Sequence, residues 1–99
     1  MAFRLNVHLD AFEFRKLNTG AGRKGPWMSL VMEDPEDASQ VDVSVPSDMQ
    51  GDVYEYQLAK GDKVTMDVVA FAGPEYSRVT LKAITRIVDV NGELQLGEE

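Results

Sequence analysis

The chain has 99 residues, the size of one small domain with one modest core. It carries 17 acidic and 10 basic residues, a net charge of −7, which argues against a surface that binds nucleic acid everywhere. It contains no cysteine, which excludes disulfides, thiolate zinc sites and cysteine nucleophiles. The N-terminal residues lack the apolar region of a signal peptide, and no apolar run approaches the ~20 residues that span a bilayer. We therefore expect a cytoplasmic protein that contacts no membrane.

The start of the chain predicts a bent strand followed by a loop. Apolar and polar residues alternate over residues 3–9, which is typical of a strand with one buried face. The apolar positions then change parity at Phe12 and Phe14, which we assign to the core. This shift predicts a bulge near residues 10–11 that bends the strand. Residues 17–26 are rich in glycine and end in proline, so we predict a loop there.

Two more strands and a helix follow. The second strand is predicted over residues 27–33 and the third over residues 41–45, with a polar, acidic turn between them. Residues 46–58 contain the predicted helix. We expect it to be short or irregular because it includes Gly51, and Ser47 is its predicted N-cap.

The second half of the chain predicts two further strands. A tight turn at residues 60–62 precedes a fourth strand over residues 64–68, and residues 73–74 break the pattern. The fifth strand is predicted within residues 76–90, with a bend because the spacing of its apolar residues changes. Residues 91–99 are predicted to be an acidic polar tail.

This order of elements favours a closed sheet. Five short, bent strands would leave two open edges, and closure into a small barrel removes them. We therefore predict an all-β domain over residues 1–90, a five-stranded barrel with one short helix between the third and fourth strands.

Two segments of the chain resemble the OB-fold, a five-stranded Greek-key barrel. One is GRKGPWMSLVMED, in which a basic, glycine-containing segment leads into a strand that starts with an aromatic residue. The other is LAKGDKVTMDVVAFAGPEYSRVTLKAITRI, which is similar to the fourth strand, hairpin and fifth strand of that fold. Resemblance to its single-stranded-DNA-binding members implies an oligonucleotide on the outer face of the second and third strands, flanked by the first and last hairpins. The chain departs from the bacterial members in its short helix and in its tail, LQLGEE, which lacks their hydrophobic tip.

The candidate site begins with a basic segment in this acidic chain. Between Phe14 and Glu33 there is no acid, and the four cations are Arg15, Lys16, Arg23 and Lys24. Trp27, the only tryptophan, follows on the outward face of the second strand, which Ser29 shares. We interpret the cations as phosphate contacts and the indole as a platform for a base. The alternatives are a solvated hairpin for the cations and a partly buried indole packed under the glycines.

The hairpin between the fourth and fifth strands supplies the second half of the candidate site. Phe71 and Tyr76 are candidates for stacking, and Arg78 and Lys82 are candidates for phosphate contacts. For Phe71 the alternative is packing over one end of the barrel.

The other polar residues indicate no chemistry. His8 lies on the polar face of the first strand and is expected to be a surface residue. The acidic residues 33–37 lack the spacing and the glycine of a calcium-binding loop. No nucleophile, base and orienting group share a pattern, so we predict a protein that is not an enzyme and needs no metal or cofactor.

We therefore predict a non-enzymatic, sequence-tolerant binder of single-stranded nucleic acid, with single-stranded DNA as its partner. RNA stays open because nothing marks a reader of the 2′-hydroxyl, and the sequence does not distinguish replication from repair. The alternative is a protein-interaction barrel without nucleic-acid binding, which the net charge of −7 motivates. Assembly into a homo-oligomer also stays open, because it depends on exposed strand edges.

Overall fold

The computed structural model describes residues 2–90, which form a closed barrel of five strands in the order β1-β2-β3-β5-β4. In chain order the elements are β1 (Phe3–Gly22), β2 (Gly25–Glu33), β3 (Gln40–Ser44), a 3₁₀ turn (Ser47–Met49), α1 (Gln50–Tyr56), β4 (Lys63–Ala72) and β5 (Ser77–Val88). Neighbouring strands are antiparallel, except β3 and β5, which meet in parallel at Ser44 and Thr80. The predicted five-stranded Greek-key barrel with one short helix is confirmed. The predicted acidic tail, 91–99, lies outside the described residues.

Alternate residues of each strand fill the barrel. The inward residues of β2, Met28, Leu30 and Met32, are at most 2 % exposed, and every second residue of β4 from Val64 to Val68 is buried in the same way. Burial of each such side chain contributes about 1.5–3 kcal/mol. Since the inward parity of β2 is as predicted, the residues between these three face outward.

A bulge bends β1 where the change of parity predicted it. The pairing of β1 with β4 shifts register between Leu9 and Phe12, and Ala11 adopts a positive φ of 55°. The Ala11 N–H donates to Thr65 Oγ1 at 3.0 Å, and that hydroxyl in turn donates to Asp10 Oδ1 at 3.2 Å. The bend lets one strand pair with β4 along its first half and with β2 along its second half.

The prediction of a loop over residues 17–26 is wrong. β1 continues to Gly22 and β2 begins at Gly25, so the connection is the two-residue turn Arg23–Lys24. The glycines that suggested a loop lie in the paired strands instead, because the backbone hydrogen bonds of a hairpin do not depend on side chains. Gly25, the residue after the two-residue turn, adopts a φ of 111°. The basic segment is therefore part of a two-stranded antiparallel hairpin.

The helix is short, as predicted, but Ser47 does not cap it. Ser47 is the first residue of the 3₁₀ turn, and α1 begins after Met49 without a side-chain cap. Since Pro46 occupies the N-cap position of the 3₁₀ turn, Ser47 already lies inside the turn, past the capping position. At the far end Gln57 adopts a φ of 52°. No helix within residues 2–90 is long and apolar enough to cross a bilayer.

The first residues of β1 are not buried, in contrast to the one buried face predicted for residues 3–9. Phe3 is 63 % and Leu5 is 57 % exposed. They pair with Ala72 and Ala70 of β4, where the β1–β4–β5 sheet extends past the part of the barrel that β2 and β3 close. Pairing of β1 with β2 starts only at Glu13. Over residues 3–12, the edge of β1 that faces away from β4 therefore has no partner strand among residues 2–90.

A buried carboxylate joins the two ends of the last strand pair. Asp62 is fully buried, and it accepts the N–H of Ala59 on Oδ2 and the N–H of Val90 on Oδ1, each at 2.8 Å. The preceding turn contains Gly61 with a φ of 99°, as the predicted tight turn requires. Asp62 therefore holds the start of β4 against the residues that follow β5.

Candidate nucleic-acid interface

Trp27 lies on the outward face of β2, directly opposite Gly20 of β1, and is 49 % exposed. A Cβ atom at Gly20 would overlap the indole, with Trp27 Nε1 at 2.7 Å. The indole therefore lies over the backbone of Gly20, an approach that only glycine permits. β1 covers one side of the ring, and about half of the surface of the residue stays exposed.

The first hairpin turn carries two cations beside this ring. Arg23 and Lys24 are exposed, and neither belongs to an ion pair within residues 2–90. Both line a concavity with a volume of about 680 Å³, which we call the hairpin cleft. Its lining also includes Trp27, Ser29, Ser44 and Arg78. A half-exposed indole, three cations and the hydroxyls of three serines, Ser47 included, therefore share one concavity.

The second hairpin carries two aromatic rings, each covered by a guanidinium. The centroids of Phe71 and Tyr76 are 5.2 Å apart and their planes are tilted by 35°. The guanidinium carbon of Arg4 lies 5.7 Å from the centroid of Phe71, and that of Arg78 lies 5.5 Å from the centroid of Tyr76. Such cation–π contacts are worth about 0.5–1 kcal/mol at exposed sites, so a ligand ring can replace either arginine at low cost.

Arg78 belongs to both hairpin surfaces. It lines the hairpin cleft and also the concave surface of about 560 Å³ that contains Phe71 and Tyr76. The structure therefore brings together most of the candidate residues, namely Arg23, Lys24, Trp27, Ser29, Phe71, Tyr76 and Arg78.

Arg15 and Lys16 do not lie with the other two cations of the basic segment, in contrast to the prediction of one basic loop. Because β1 continues as a strand, Arg15 lies roughly 25 Å along it from the turn. The Arg15 guanidinium lies 3.4 Å from Glu13 Oε1 and 3.7 Å from Glu33 Oε1. Lys16 lies opposite Val31, outside the hairpin cleft.

Two residues of the two hairpin surfaces were not predicted from the sequence, and one predicted residue lies apart from these surfaces. Arg4 and Ser44 were not singled out, although both have outward parity in their strands. Their relevance depends on the pairing register, which a single sequence does not indicate. Lys82 lies farther along β5, in a third concavity with Asn6 and Asp67.

The acidic turn lies at the opposite end of β2 from Trp27. Asp34 Oδ1 accepts the N–H of Glu36 at 2.9 Å, and Asp37 Oδ1 accepts the hydroxyl of Ser39 at 2.6 Å and its N–H at 3.0 Å. The two bonds from Ser39, chiefly the one from its hydroxyl, lower the pKa of Asp37 below its usual value. Within residues 2–90 no three His, Cys, Asp or Glu side chains converge as a metal site would require. The length of β2 separates the acids from the cleft cations.

Comparison with known proteins supports the fold. No protein-family model matches the sequence, and no curated protein matches it. Among solved structures, the chain is similar to the mitochondrial single-stranded DNA binding protein Rim1 from S. cerevisiae, with a TM-score of 0.61 and 14 % sequence identity. The similarity covers 82 % of this chain and 92 % of that chain. At this identity it shows the fold, and the resemblance to the OB-fold of single-stranded-DNA-binding proteins is confirmed.

Proposed function

We propose that this protein binds single-stranded DNA in the hairpin cleft, without sequence specificity and without catalysis. The observation that carries the proposal is Trp27, whose half-exposed indole lies on Gly20 beside two cations that form no ion pair within residues 2–90. A flat hydrophobic ring next to positive charge suits a base and its phosphate.

Each group of the cleft has one role in this proposal. The open side of Trp27 stacks on a base, and Arg23 and Lys24 on the turn contact the phosphates on either side of it. Ser29 and Ser44, paired across β2 and β3, offer hydroxyls that can donate to or accept from any base edge. Such contacts hold a strand without reading its sequence.

The second hairpin supplies further stacking surface. Phe71 and Tyr76 already stack with guanidinium groups, and a base can take the place of the guanidinium on either ring. Arg78 lies between the two aromatic surfaces and can contact the phosphates that link them.

The test is a titration of a fluorescently labelled oligo-dT by anisotropy at two salt concentrations. We expect the slope of log K against log salt to be about −0.7 for each phosphate neutralised, hence about −2 for the three cleft cations. The Trp27→Ala variant should bind about 5- to 150-fold more weakly, since a base–aromatic stack is worth about 1–3 kcal/mol. Tyr54→Ala, which removes an exposed aromatic ring of α1, is the control and should bind like the parent.

Equal affinity of Trp27→Ala and the parent would remove the stacking role. Absence of binding at low salt would overturn the proposal and favour a protein-interaction barrel. An oligo-U competitor separates DNA from RNA; we propose DNA because the similar structure is described as a single-stranded DNA binding protein. A cytoplasmic location stays a prediction.

We also propose that the protein self-associates, with a second copy of the chain as the partner. The edge of β1 over residues 3–12 has no partner strand in the described part of the chain, and it carries the exposed side chains Phe3 and Leu5. Antiparallel pairing of two such edges about Val7 places Arg4 opposite Asp10 of the second copy. The edge is therefore apolar, and its charges are complementary to those of the same edge on a second copy.

A further inference from the structure

β5 is basic along its whole length, although the chain as a whole is acidic. Its twelve residues, Ser77–Val88, contain three cations and no acid, against a net charge of −7 for the chain. All three, Arg78, Lys82 and Arg86, are exposed, and none belongs to an ion pair within residues 2–90. Only Arg78 belongs to the hairpin cleft, so Lys82 and Arg86, which lies opposite Thr65 of β4, are two exposed cations that the proposed function does not use.

This surface is continuous with the cleft. On the outward face of the β1–β4–β5 sheet, the pairing places Arg4, Phe71 and Arg78 in one row. Asn6, Val69 and Thr80 form the next row. Lys82 lies beyond them in a concavity of about 240 Å³ that it shares with Asn6 and His8. Asn6 lines both this concavity and that of the second hairpin, and Arg78 lines the latter and the hairpin cleft, so the three concavities adjoin one another in series.

Charge on this path favours an anion. The carboxylate that lines the last concavity is Asp67, and it already interacts with His8, whose Nδ1 lies 2.8 Å from its Oδ1. No Phe, Tyr or Trp side chain lines this concavity, and its one imidazole, His8, is engaged by Asp67. The chemistry available is therefore contact with phosphate and sugar rather than stacking on a large ring.

We propose that the bound strand continues past the second hairpin over the outward face of the β1–β4–β5 sheet, with its phosphates on Lys82 and Arg86. This path rests on the proposed function, because it begins where the hairpin cleft ends. It makes the cleft the part that stacks bases and β5 the part that holds only the backbone.

The test compares two oligo-dT lengths, about 5 and about 16 nucleotides, near the two ends of the range for one OB-fold. In the parent we expect a steeper salt dependence for the long oligonucleotide. Lys82→Gln and Arg86→Gln should each make its slope shallower by about 0.7 and leave the slope of the short one unchanged. Lys60→Gln, an equal change of charge at an exposed residue outside these concavities, is the control and should leave both slopes unchanged.

The outcomes separate the two proposals. If the short oligonucleotide binds and depends on Trp27, but Lys82→Gln and Arg86→Gln leave the long one unaffected, the path is wrong and the proposed function stands. An equal effect of Lys60→Gln would also overturn the path, because the effect would then be one of net charge. If neither oligonucleotide binds, both proposals fail.

Discussion

At Gly20 the absence of a side chain decides where the indole of Trp27 lies. Any Cβ there would overlap the ring, and the two residues are direct cross-strand partners. We expect Gly20→Ala to lift the indole off β1, which should change its fluorescence emission and weaken oligo-dT binding by up to about tenfold, within the range of one lost stack. Both quantities can be measured in one titration.

Gly51→Ala is the matched control for this change. Nothing lies within 4 Å of a Cβ atom at Gly51, which is exposed within α1. It should leave the affinity unchanged and raise the free energy of unfolding by about 0.5–1 kcal/mol, because alanine is the better helix former. Parent-like affinity and emission in Gly20→Ala would show that the ring does not depend on the glycine.

At the scale of elements, Asp62 joins the turn before β4 to the residues after β5. Replacing it with alanine leaves two backbone N–H groups, of Ala59 and Val90, without their acceptor. Since an unsatisfied buried donor costs about 1–3 kcal/mol, we expect Asp62→Ala to lower the free energy of unfolding by at least about 2 kcal/mol. Urea denaturation measures this, and Asp42→Ala, an exposed acid on β3, should change stability by less than about 0.5 kcal/mol. A loss no larger than that of Asp42→Ala would contradict the role of Asp62.

The elements differ in how far sequence patterns could predict them. The bulge at Ala11 and the inward face of β2 follow from periodicity, because burial imposes a period of two on one face of a strand. The hairpin over residues 17–26 could not be recognised, because Gly20 serves a close approach of Trp27 that is visible only once the register is known. The same register places the guanidinium of Arg4 over the ring of Phe71 on the neighbouring strand, and it places Arg15 in ion pairs with two glutamates. Composition could therefore nominate the cations, but the pairing of strands decides which of them are available.

At the scale of the whole molecule, the charges are separated along the barrel. The acidic turn after β2 and the turn Arg23–Lys24 before it lie at opposite ends of that strand. At physiological salt the screening length is about 8 Å, so a phosphate in the hairpin cleft interacts with the nearby cations more than with the distant acids. A net charge of −7 is therefore compatible with binding of a polyanion at one place and disfavours it elsewhere.

The open edge of β1 predicts that the protein assembles into dimers. We expect the parent to sediment as a dimer in analytical ultracentrifugation, because an exposed apolar edge strand pairs readily with another. Leu5→Lys should give a monomer, since a lysine on the edge disfavours such pairing. Tyr54→Lys, which places the same charge at an exposed residue of α1, should stay dimeric. Because pairing about Val7 would place Arg4 opposite Asp10 of the second copy, Arg4→Asp should also give a monomer by setting two acids against each other. A parent that sediments as a monomer over the whole micromolar range, or a dimer that survives both Leu5→Lys and Arg4→Asp, would show that this edge is not the interface.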